Sequence, residues 1–150
     1  MLRGAGVPQK GLVDELTSAL DIYPAAARLV GFEVPAGLDG NLPEILGGKQ
    51  REYVVSNSIF PGQTYKLCIR TAEYEFRLES QEVVDEDGGV DLRRPKMQLF
   101  HRTDTAREIE DGAMLGRFLS VARQHTASFD TRGEIWPEKR ALRKSWYPGA

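Results

Sequence analysis

With 150 residues, of which 41% are hydrophobic and 28% charged, the chain has an ordinary globular composition that excludes general disorder and suffices for one core. Its 22 acidic and 20 basic side chains leave a net charge of -2, too balanced for the broad positive field that a phosphate backbone requires, so nucleic acid is not an expected partner. A single cysteine, Cys68, excludes an internal disulfide framework and a Cys-based zinc site; no stretch approaches the about 18 apolar residues of a membrane span, and the first residues lack the apolar core of a signal peptide.

In chain order, a Gly/Pro loop from Arg3 to Gly11 leads into an apolar segment with no earlier element to pack on, the way a cut domain begins. Leu12 to Leu20 suits either strand or helix. Asp21-Ile22-Tyr23-Pro24 is a clearer signal, because Asp can cap a helix and Pro is tolerated in its first turn, where backbone N–H groups have no partner. A short helix is expected from Ile22 to Val30, with Gly31 as its left-handed stop and Pro35 discouraging continuation. Five Gly or Pro residues between Val34 and Gly48 predict a packed irregular loop.

Four short segments rich in β-branched or aromatic residues follow: Glu52–Ser56, Tyr65–Thr71, Glu73–Ser80 and Lys96–His101. Tyr74, Phe76 and Leu78 alternate with Glu73, Glu75, Arg77 and Glu79, which predicts one buried and one wet face. Asp85-Glu86-Asp87-Gly88-Gly89 suits a turn between strands, and the sheet is expected to be antiparallel. Met114, Phe118, Leu119 and Val121–Ala122 recur at helical spacing across Gly112 to Thr126, so a helix should cover that sheet. The tail carries Trp136, Trp146, Tyr147 and five basic residues from Arg132 to Lys144, and is expected to lie along a surface.

No residue combination identifies a catalytic centre. His101 and His125 are the only histidines, and neither has a carboxylate or cysteine at metal-ligand spacing. Cys68, between Leu67 and Ile69, suits a small core residue, and as a nucleophile it would need a partner base. The run Asp85–Asp87 lacks the alternating ligands and distal bidentate Glu of a calcium loop. Gly4-Ala5-Gly6 follows no strand and precedes no Lys-Ser/Thr pair, so it is no phosphate loop. Glu134 and Glu138 interrupt the basic tail, which favours packing over RNA contact.

The order of several short segments carries more information. Arg3-Gly4-Ala5-Gly6-Val7-Pro8, Val13-Asp14-Glu15-Leu16 and Leu20-Asp21-Ile22-Tyr23-Pro24 resemble the stretch that follows the active-site core in the sulfatase family. The likeness continues through Leu29-Val30-Gly31, Pro35 to Gly40, and Leu42-Pro43-Glu44-Ile45-Leu46. Ile69-Arg70-Thr71 with Tyr74-Glu75-Phe76, and Gln98-Leu99-Phe100 with Glu108 and Asp111, are similar to its later strand and closing motifs. His101-Arg102, Asp104 and Thr105-Ala106 depart from the closing motif, and Phe76 stands where lysine is commoner.

The resemblance implies an α+β fragment: residues 1–50 as the end of a large α/β catalytic domain, and residues 51–150 as a small antiparallel sheet of about four strands with a covering helix and tail. It implies a sulfuric ester hydrolase acting on a sulfate-ester substrate through calcium and a formylglycine, both upstream of residue 1. Cys68 is followed by Ile69-Arg70-Thr71-Ala72, which fits neither C-x-P-S-R nor C-x-A-x-R, so no catalytic, cofactor or metal residue is carried over. The expected partner is the N-terminal catalytic part of the same enzyme, without which the chain is inactive. The alternative is a free-standing, non-catalytic α+β binding module.

Overall fold

Ser18 sets the start of the first helical segment. A computed structural model describes residues 14–60, 62–85 and 89–135, with side chains to 128. In it the Ser18 hydroxyl accepts from Leu20 N, while the Asp21 carboxylate reaches back to Ser18 N at 2.8 Å, a capping box around the 3-10 turn Ala19–Asp21. Helix α1, Ile22–Leu29, follows directly, with Pro24 buried in its first turn. Asp21 precedes α1 as expected but makes no side-chain cap to it. The helix ends at Gly31, whose φ is +81°. There Phe32 N donates to Ala27 O at 2.8 Å and Gly31 N to Arg28 O at 3.3 Å, the paired bonds of a Schellman stop.

The carboxylate of Asp21 does more than close that turn. Its Oδ1 accepts from Asn41 N at 2.7 Å and forms an ion pair with Arg51 Nη2, with side-chain exposures of 6% for Asp21 and 17% for Arg51. One buried anion thus ties together three segments of the loop-rich region. A Cβ at Gly40 would stand 2.1 Å from the Leu20 carbonyl oxygen, so only glycine lets the two backbones meet there. The expected irregular loop contains one further ordered element, the 3-10 turn Glu44–Leu46, with Leu46 buried.

Five strands form one sheet in the order β1-β2-β3-β4-β5: Val54–Ser58, Thr64–Arg70, Tyr74–Val83, Lys96–His101 and Asp104–Glu108. The sheet is antiparallel, as expected, but has five strands where the sequence suggests about four. Pairing of β3 with β4 sets Phe76 opposite Leu99 and Leu78 opposite Met97. On the same face Tyr65, Leu67, Ile69, Phe76, Leu78 and Leu99 are buried. Helix α2, Gly112–Ile135, covers that face, with Phe118 stacked on Phe76 at a centroid distance of 5.3 Å and Ala122 fully buried. It runs past the expected end at Thr126.

The opposite face is less wet than the alternation suggests. Lys66 and Glu79 pair at 3.6 Å in solvent, but Glu75 and Phe100 are buried. Arg77 accounts for part of this: it pairs with Glu75 at 2.6 Å and lies 4.7 Å over the Phe100 ring. An arginine stem can cover apolar surface while its guanidinium satisfies a carboxylate and a ring face. The β3–β4 connection is also longer than a tight hairpin. Asp85 Oδ1 accepts from Gly89 N at 2.6 Å, closing a local loop, and β4 begins only at Lys96.

The chain divides into two compact units, one comprising residues to Val55 with Arg70–Ala72, the other Ser56–Ile69 and the residues from Glu73 onward. No helix of the described residues is long and apolar enough to cross a membrane.

Candidate functional site

His101 ends β4 with its ring stacked on Tyr74 at 5.1 Å, an exposed strand-end position. Cys68 lies within β2 and is half-buried. Among the described residues no three His, Cys, Asp or Glu side chains converge as a metal site would need. Glu86 and Asp87, the glycines of the Gly4–Gly6 segment, and the tail residues Trp136, Trp146 and Tyr147 lie outside the described residues.

His125 is the histidine that the fold places in a network. Asn57 on β1 sets its Nδ2 3.1 Å from His125 Nε2 on α2, and 3.4 Å from the Tyr65 hydroxyl on β2. The Asn57 amide nitrogen thus lies within hydrogen-bonding reach of both side chains. Burial pushes the Tyr65 phenol up, outweighing the opposing effect of the Asn57 hydrogen bond. The phenol therefore stays protonated at neutral pH and cannot serve as a base. Through its contact with Asn57 the imidazole ties helix to strand. The Asn57–His125 contact spans 68 residues, and no local pattern in the sequence announces it.

A second feature is a surface rather than a constellation. On α1 the small residues Pro24, Ala25 and Ala27 are buried, whereas Ile22 is 70% exposed, Tyr23 58% and Val30 65%. At helical spacing Ile22, Ala26, Val30 and Tyr23 fall within about 100° of one another, a contiguous apolar stripe of the width that surface helices normally turn toward a core. Leu20 and Phe32, both well exposed, flank it in sequence. An isolated exposed apolar side chain is ordinary; a continuous stripe marks a surface made to be covered.

Comparison with family models, with curated proteins and with solved structures finds no match to this chain.

Proposed function

We propose that this chain is the C-terminal, non-catalytic part of a sulfatase-like hydrolase, with the unit containing α1 closing the large α/β domain and the unit containing α2 forming the small C-terminal subdomain. The observation that carries the reading is the apolar stripe of Ile22, Tyr23, Ala26 and Val30, because a helix at the end of a larger domain would turn that face to the domain's own core. Two of the segments that resemble the family also meet in the fold. Leu20-Asp21 and Gly40-Asn41 touch through the Leu20 carbonyl and the Asp21 carboxylate.

In this reading the calcium ion and the formylglycine belong to the part preceding this chain. The described residues do not themselves form a cation site of three or more acidic, His or Cys ligands, and no step through a metal is assigned to them. What this chain supplies is a buttress: a packed sheet and helix beside the catalytic domain, leaving substrate choice to residues elsewhere or to its own loops, such as Ser56–Thr64.

The decisive test is the coding sequence upstream of Met1, which should encode a C-x-P-S-R or C-x-A-x-R segment in frame; an unrelated reading frame there would sink the proposal. A second measurement concerns the protein in solution. The isolated chain should bind an anilinonaphthalene sulfonate dye in its native state, and the double variant Ile22→Glu, Val30→Glu should bind it several-fold less with the far-ultraviolet dichroism unchanged. A native chain that is dark to the dye and unfolds cooperatively as a monomer would favour the free-standing binding module instead.

A further inference from the structure

The end of β3 and the segment leading into β4 enclose a depression of about 330 Å³, lined by Gln81, Glu82, Asp91, Arg93 and Arg94. That volume lies at the lower end of ligand pockets, enough for one small ring. Among the described residues its lining is polar or charged throughout. Asp91 and Arg93 are locked together: Arg93 Nε lies 3.1 and 2.9 Å from the two Asp91 oxygens, and Asp91 Oδ1 also accepts from Arg93 N at 2.8 Å. These bonds, the side-chain one foremost, hold the Asp91 carboxyl down to about 2, so the pair stays charged throughout the physiological range. The Arg93 side chain is 88% exposed, so this is a solvated surface pair whose guanidinium and carboxylate both face the depression. Among the described residues Arg94 carries no ion pair.

Among the described lining residues the formal charges cancel, two guanidinium groups against two carboxylates. A bare anion would meet the Glu82 and Asp91 charges as well as the arginines, so the depression is poorly suited to inorganic sulfate or phosphate. It offers a dense alternation of donors (Arg93, Arg94, the Gln81 amide) and acceptors (Glu82, Asp91, the Gln81 carbonyl). Vicinal hydroxyl groups, each both donor and acceptor, match such a surface, and charge-assisted hydrogen bonds are the stronger kind. We propose that this depression binds a single neutral saccharide unit through its hydroxyl groups, with Glu82, Arg94 and the Asp91–Arg93 pair as hydrogen-bonding partners. Such binding is independent of whether the chain belongs to a larger hydrolase.

The test is a titration of the full chain with glucose, glucosamine and glucuronate, and with inorganic sulfate and glycine as controls, followed by amide chemical shifts. A saturable shift confined to residues near 81–82 and 91–94, produced by glucose and absent with sulfate and glycine, is the expected result. Arg94→Ala and Glu82→Gln, both at exposed positions, should each weaken it roughly tenfold without changing the thermal midpoint. Binding of sulfate alone, binding of glycine alone, no saturable shift with any sugar, or shifts unaltered in both variants would each overturn the assignment.

Discussion

Alanine in place of Asp21 is expected to cost the unit that contains α1 about 3–5 kcal/mol, the range for removing one partner of a buried ion pair. The reason lies in what the carboxylate holds. Its loss strands the guanidinium of Arg51, a side chain only 17% exposed, and removes the acceptor for the backbone N–H groups of Ser18 and Asn41. Desolvating an unpaired charge is the largest of these penalties. Hydrogen exchange at residues 18–51 would report it as lost protection. Adding Arg51→Met should recover part of the loss, because the stranded charge is then gone and the methionine stem still fills space. A single variant with protection unchanged, or a double variant worse than the sum of its parts, would show that the ion pair does not organise this unit.

Phe76→Ala is the second large effect, expected to destabilise the sheet and its helix by about 3–5 kcal/mol. Phe76 is fully buried, stacks on Phe118 with the ring planes 17° apart, and stands opposite Leu99 in the β3–β4 register. Truncation removes the ring from the layer between sheet and helix and leaves a cavity whose walls are regular structure, which can collapse only in part. Urea unfolding followed by near-ultraviolet dichroism should show a lower midpoint. Phe76→Leu should cost clearly less, since most of the volume is kept. A midpoint shift for Phe76→Ala below that for Leu would contradict the packing described.

Local signals in the sequence account for the elements that are legible there. Pro24 and Gly31 bracket α1 because each restricts or frees φ at one position, and the two-residue period of β3 and the helical period of α2 each follow from one-sided burial. Strand β5 carries no such signal. All five of its residues are exposed, and it is held to β4 by a short reversal that sets His101 opposite Asp104 and by a register that shifts between Phe100 and His101. Without a buried face there is no alternation to read. The role of Asp21 escapes a local reading for a related reason. Helix capping is a matter of adjacent residues, but this carboxylate serves Asn41 and Arg51, 20 and 30 residues away. Composition and period do not report distances of that kind, nor the Asn57 bridge between β1 and α2.

Strand β5 has one more consequence, for behaviour at high concentration. As the outer strand of the sheet it offers a row of backbone groups on which another chain could template. Asp104, Arg107 and Glu108 make three of its five residues charged. A second strand adding along that edge, in a crowded cell or a growing fibril, would have to bring these charges out of water or stack them on their own copies. The same lack of burial that hides β5 in the sequence protects that border of the sheet from aggregation.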